Sequence, residues 1–162
     1  MQEYSIMIPG DAVPQGRPRV VRIGGRTIAY DPPKSKAYKA RVRQYAARNA
    51  PKEPLEGKVT LEVRIYRSVP KSWSKKKHDA AYAGLIWPTT KPDISNIVKG
   101  IEDALNGIWY KDDSQIVHEY SMKQYAREPG VIVKMRGGNE DEQMVHRQNQ
   151  SRRARATGRR QI

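Results

Sequence analysis

The stretch KPDISNIVKGIEDALNGIWYKDDSQIV, Lys91 to Val117, changes its hydrophobic period part-way through. Ile97, Ile101, Ala104 and Leu105 recur at intervals of three and four, which predicts a helix over 94–105. Asn106-Gly107 supplies the stop that a helix C-terminus favours. From residue 113, DSQIVHEYSMKQYAR returns to alternation and predicts a strand with Ile116, His118, Tyr120 and Met122 on one face. The same stretch gathers Asp93, Asp112 and Asp113 in a chain whose formal net charge is +14.

Outward from this segment the strands predominate. KVTLEVRIYR (58–67) sends Val59, Leu61, Val63 and Ile65 one way and Thr60, Glu62 and Arg64 the other. EYSIMIPG (3–10) reads as a short strand, Val20–Ile23 and Thr27–Tyr30 as a hairpin turning at Gly24-Gly25, and GVIVKMR (130–136) as a last strand. KSKAYKARVRQYAARN (34–49) predicts a basic helix with Ala37, Ala40, Arg41, Gln44, Tyr45 and Arg48 at helical spacing. SWSKKKHDAAYAG (72–84) predicts a short one, capped by Ser72 or Ser74 and closed at Gly84. The order β-ββ-α-β-α-α-β-β predicts a single compact α/β (α+β) domain over 1–136, with a mixed sheet and helices packed on one face. Beyond it, 137–162 has little apolar content and carries Arg152, Arg153, Arg155, Arg159 and Arg160. It reads as a basic tail, disordered or weakly helical, that adds phosphate affinity without affecting the fold.

Length and composition narrow the function. A chain of 162 residues, 37% hydrophobic, suits one domain with a modest core. Its zero cysteines exclude disulfides, thiolate zinc, iron–sulfur clusters and cysteine nucleophiles. No apolar run reaches 18 residues and no signal-peptide pattern opens the chain, so a cytoplasmic protein is expected. Thirty-one Lys and Arg against 17 Asp and Glu favour a polyanionic partner, nucleic acid first and anionic membrane second.

Each acidic residue has two readings. An aspartate before a helix ordinarily caps it, and a Lys-Asp-Asp-Ser loop is ordinary turn chemistry. The functional reading is a divalent-metal site, because Mg2+ takes hard oxygen ligands, often only one or two carboxylates. Asp93 and Asp113 meet only if 108–112 runs back along a helix about 18 Å long, which five or six extended residues just span. Lys99, four residues after Ser95 and four before Asp103, shares their helical face. It is either a solvated partner of Asp103 or Glu102, or an ammonium that steadies charge on a phosphodiester or protonates a leaving oxygen.

These residues carry a resemblance. Lys91-Pro92-Asp93-Ile94-Ser95-Asn96-Ile97-Val98-Lys99, then Asp103 to Gly107, then Asp112 to Ile116 resemble the signature of the RusA family of Holliday-junction resolvases, encoded by bacteria, prophages and phages. The likeness extends to PKSWSKKKHDAAYAG (70–84) and, more loosely, to PQGRPRV (14–20). It implies a homodimeric, Mg2+-dependent endonuclease, with Mn2+ able to substitute, that binds four-way DNA junctions and nicks two opposing strands. It implies catalytic roles for Asp93, Lys99 and Asp113, and a metal site of Asp93, Asp113, Asp112 and position 95. Basic residues Arg17, Arg19, Lys34, Lys36, Lys75, Lys76 and Lys91 are the expected DNA contacts.

One position departs from the pattern. Where the family has an aspartate, this chain has Ser95, which lowers the formal charge of a three-ligand site from −3 to −2. A weakened enzyme working through Asp93 and Asp113 with Asp112 adjacent, and a junction-binding protein that no longer cuts, are the two outcomes this predicts.

Overall fold

A computed structural model describes residues 2–137; the arginine-rich tail expected at 137–162 lies outside them from residue 138 onward. The strands are β1 (Gln2–Pro9), β2 (Arg19–Ile23), β3 (Arg26–Tyr30), β4 (Val59–Arg67), β5 (Ile116–Tyr125) and β6 (Gly130–Gly137). The helices are α1 (Pro33–Arg48), α2 (Lys75–Tyr82) and α3 (Ile94–Leu105). Four strands form one sheet in the order β1-β6-β4-β5, and β2-β3 stand apart as a hairpin. β6 runs antiparallel to β1 and β4, whereas β4 and β5 are parallel. A parallel pair needs a long crossover. Here residues 68–115, carrying α2 and α3, provide it.

The alternation read in 58–67 holds: Val59, Leu61, Val63 and Ile65 are all fully buried. They join Ile6, Ile8, Val131, Val133 and Met135 in one apolar face, covered by α1 and α3. α3 buries Ile97, Val98, Ile101, Ala104 and Leu105, the stripe its spacing predicts with Val98 added. In α1 the buried side is different from the expected one. Ser35, Tyr38, Val42 and Ala46 face inward, while Ala37, Ala40, Arg41, Gln44 and Arg48 are exposed and Tyr45 is half-buried. The helix rotates so that its largest apolar groups meet the sheet and its arginines stay in water.

β5 also departs from simple alternation. The β4–β5 register shifts between Val59 and Thr60, pairing Val59 with Ile116 and Thr60 with His118. Val117 is thus left over, as in a β-bulge, and the faces exchange beyond it. Ile116 packs on the core, but His118, Tyr120 and Met122 align with Thr60, Glu62 and Arg64 on the helix-free face. Glu119, Ser121 and Lys123 therefore lie on the helix side, beside Leu61, Val63 and Ile65. The bulge thereby brings Glu119 near Glu102 of α3 and Lys123 to the loop before that helix.

The segment after α3 turns sharply and runs back along it. Gly107, at φ +75°, occupies the left-handed region that glycine tolerates. Trp109 and Tyr110 are fully buried; the Trp109 indole N–H donates to the Ala46 carbonyl (3.2 Å) and the Tyr110 hydroxyl to the Glu102 carbonyl (3.0 Å). Those two anchors draw residues 111–113 toward the N-terminal half of the helix.

Candidate active site

α3 begins beside a cleft of about 430 Å3, lined by Ala12, Val13, Pro14, Gln15, Lys91, Pro92, Asp93 and Asn96. One wall is the loop after β1. It is fixed by the Gln15 amide donating to the Asn96 carbonyl (2.8 Å) and the Gly16 amide donating to Ser35 Oγ (2.8 Å). A side chain at Gly16 would meet Pro32 Cγ at 2.6 Å, so this approach to α1 needs glycine. The Ser35 hydroxyl itself donates to the Pro14 carbonyl (3.2 Å), which satisfies the buried polar residue of α1.

Asp93 occupies the N-cap position of α3, yet its side chain makes no capping hydrogen bond. The ordinary reason for an aspartate there is not in use, and the carboxylate is exposed to the cleft. Its position is set through the preceding backbone. Arg67 donates to the Lys91 carbonyl (2.8 Å), and Lys123 donates to the Thr90 and Pro92 carbonyls (2.9 Å each). The Lys91-Pro92 bond between them is cis. Burial and the Arg67 charge push the Lys123 ammonium below the usual lysine range, while Asp93 pulls it the other way. Neither Arg67 nor Lys123 was expected as part of the site. Only the β4–β5 register and the bulge bring them to this loop, and no local pattern encodes that.

Asp113 opens a single 3-10 turn, Asp113–Gln115, and accepts a 2.7 Å hydrogen bond from Lys99. Lys99 also pairs with Asp103 at 3.2 Å. The Asp113 hydrogen bond, and then that to Asp103, hold the lysine above its ordinary range despite some burial. Asp112 plays a structural part. Its carboxylate accepts from the Ser114 amide (2.9 Å) and its own amide donates to Gln115 Oε1 (2.9 Å), a capping box for the turn. Hydrogen bonds from Ser114 hold the Asp112 carboxyl below the usual range. Gln115 in turn donates to the Leu55 and Gly57 carbonyls (2.9 Å each), tying the turn to the segment before β4.

Around Lys99 lie Glu102 and Asp103, the acids that its spacing pairs with it, joined by Glu119 from β5. Burial, followed by the charge of Glu119, raises the Glu102 carboxyl. Burial also pushes Asp103 upward, but hydrogen bonds from Lys39, Gln15 and Lys99 outweigh it and hold this group below its ordinary value. Lys39 bridges Asp31 (2.9 Å) and Asp103 (3.0 Å), linking α1 to α3. Ser95 is exposed in the first turn of α3. Arg17, Arg19, Lys34, Lys36, Lys75, Lys76 and Lys91 are all exposed, and none forms an ion pair among the described residues.

The comparison with known proteins decides the family. The model for endodeoxyribonuclease RusA matches residues 9–136, which takes in β2 to β5, nearly all of β6, all three helices and the cleft, and leaves out β1 up to its last residue. This chain belongs to the RusA endodeoxyribonuclease family. It is also 46% identical over 129 residues to "Uncharacterized protein YqaN" of Bacillus subtilis (strain 168), covering 78% of this chain and 91% of that one. RusA-family chemistry is hydrolysis of DNA phosphodiesters and generally depends on a divalent metal.

The residues present suit such an ion. Asp93 and Asp113 are hard oxygen donors, the type that Mg2+, Ca2+ and Mn2+ prefer. The Asp93 carboxylate is not occupied by capping. Among the described residues no three His, Asp or Glu side chains cluster tightly enough to enclose an ion. Asp93 and Lys99 are about 9 Å apart along the helix axis, from six residues at 1.5 Å. The Lys99 ammonium is held by Asp113 and Asp103, so the second carboxylate stands beside the helix while Asp93 stands at its start. An open site of this kind suits a metal that completes its shell with water and substrate phosphate. Among the described residues, no helix is long and apolar enough to cross a membrane.

Proposed function

We propose that this chain is a structure-specific endodeoxyribonuclease that binds four-way DNA junctions and resolves them by paired, Mg2+-dependent nicking. The observation that carries the reading is the uncapped Asp93 carboxylate, presented to the cleft by a loop whose carbonyls Arg67 and Lys123 hold. Asp93 and Asp113 would hold the metal, with the Ser95 hydroxyl and Asp112 as weaker candidates, Asp112 already serving as a cap. The bound metal supplies Lewis-acid stabilisation of the scissile phosphate and activation of a water.

The chain's own residues do the rest. Lys99 keeps a positive charge beside Asp113, where negative charge grows on the phosphoryl oxygens. Arg17, Arg19, Lys34, Lys36, Lys75, Lys76 and Lys91 supply backbone contacts, so affinity falls steeply with salt. A homodimer offers two cuts related by a two-fold axis, matching the symmetry of the junction. A protein acting on such DNA works in the cytoplasm of a bacterial cell.

Ser95 favours a second reading, a junction binder with weakened or lost cleavage. It stands in the first turn of α3, two residues from the cap, with no carboxylate to offer. Incubation with a labelled four-way junction and Mg2+ or Mn2+ separates the two. Symmetric nicks abolished in Asp93→Asn and Asp113→Asn identify the nuclease. Tight junction binding without nicks, with cutting gained in Ser95→Asp, identifies the binder.

A further inference from the structure

The β2–β3 hairpin is the part of the described chain that buries least. All ten strand residues are exposed, and its strands pair only with each other. Register puts Arg19 opposite Tyr30, Val21 opposite Ile28 and Ile23 opposite Arg26. These six side chains share one face, because strand residues alternate and paired residues point the same way. The face is an apolar ribbon of Tyr30, Val21, Ile28 and Ile23, 37–63% exposed, with an arginine at each end. Val20, Ala29, Arg22 and Thr27 form the other face. Gly24 and Gly25, at φ +57° and +77°, close the tight turn that a two-residue hairpin loop requires.

A two-stranded hairpin is at best marginally stable alone in water, and an exposed apolar patch generally marks a contact surface. Charge selects the occupant. Residues 12–30 contain Arg17, Arg19, Arg22 and Arg26 and no aspartate or glutamate. A second copy of this chain, itself at +14, offers such a ribbon little electrostatic attraction. Nucleic acid offers phosphate for the arginines and base faces for the apolar groups. The base of the hairpin is fixed beside the cleft: residues 12–15 line it just before β2, and Asp31, just after β3, pairs with Lys39.

We propose that this hairpin is a wedge that lays Val21, Ile23, Ile28 and Tyr30 against unstacked bases at the branch point, while its arginines take the flanking phosphates. The proposal rests on the junction reading above and assigns the discrimination between branched and linear DNA to this arm. Apolar side chains that enter base steps open them and select DNA that is already easy to unstack.

The test uses the full chain with EDTA, so binding is separated from cleavage. Affinity is measured for a four-way junction carrying 2-aminopurine at its branch point and for a linear duplex of equal length. Wild-type protein should prefer the junction and raise the fluorescence. Ile23→Ser/Ile28→Ser should lower the junction-to-linear ratio by about tenfold or more and abolish the fluorescence rise. Its linear binding, melting temperature and sedimentation should not change. Arg22→Gln/Arg26→Gln should weaken both substrates alike and flatten the salt dependence. The wedge is refuted if the serine variant keeps its preference and fluorescence. It is equally refuted if that variant changes oligomeric state, which would give the ribbon to a second copy. A wild-type protein without junction preference overturns the junction reading itself, and is recognised before any substitution is made.

Discussion

The two ends of α3 are held in opposite ways. At the C-terminal end the Leu105 carbonyl accepts from the Ile108 and Trp109 amides, and Arg43 donates to the Ala104 carbonyl (3.1 Å). Trp109 and Tyr110 pack there without exposure. At the N-terminal end Asp93 makes no cap hydrogen bond, and Ser95, Asn96 and Lys99 are exposed. What fixes that end acts on the preceding carbonyls, through Arg67 and Lys123. The difference separates scaffold from chemistry. On the proposed reading, a carboxylate that takes a metal must be placed without being neutralised, and tethering its backbone achieves this.

The comparison predicts that damage at the C-terminal end costs stability and damage at the N-terminal end costs activity. Trp109→Ala tests the first half. It removes a fully buried ring and its bond to the Ala46 carbonyl, and should lower unfolding free energy by about 3–5 kcal/mol in chemical denaturation. A loss below about 1 kcal/mol would mean that the anchor does not hold the helix. Lys123→Met tests the second half. Partners that orient metal ligands typically contribute 10–100-fold, so junction cleavage should slow by about that factor, with the fold retained. A variant that cuts as fast as wild type would break the contrast.

Smaller effects sharpen the picture in the last turn of the helix, where Glu102 and Asp103 are neighbours whose carboxyls shift in opposite directions. Asp103, lowered in the folded state by Lys39, Gln15 and Lys99, contributes stability above its unfolded value of 3.8 and loses it as pH falls through the lower folded value. Asp103→Asn should therefore cost about 1 kcal/mol at pH 7 and nothing well below pH 3. Melting curves across that range would show the difference closing. Glu102, raised by burial and Glu119, behaves inversely: stability declines as pH rises through 4.5 toward its folded value. Glu102→Gln should gain a few tenths of a kcal/mol at pH 7, after allowance for its exposure, and nothing below pH 4. Equal destabilisation by both substitutions would show that they report packing rather than charge.

Much of the candidate site was legible because its signals are local. The helix at 94–105, its stop at Asn106-Gly107, the carboxylates at 93 and 113 and the lysine at 99 all lie within one stretch. The return of the chain along the helix was permitted by length, but the burial of Trp109 and Tyr110 is what enforces it. The inward side of α1 was misread because alanine and arginine spacing competed with a stripe opened by a polar residue, Ser35. That serine is buried for the sake of the loop at Pro14 and Gly16, a partner 19–21 residues away.

The sequence by itself determined the strands and helices, the acid set in a basic chain, and the unusual serine at position 95. Those properties depend on periodicity and residue type, which near neighbours carry. Only the tertiary structure decided that Asp93 is an unengaged cap, that Asp112 is a turn residue, and that Arg67 and Lys123 hold the loop before the helix. The reason is register. One extra residue in β5 exchanges the faces of a strand, and no local pattern records which face its neighbour will require.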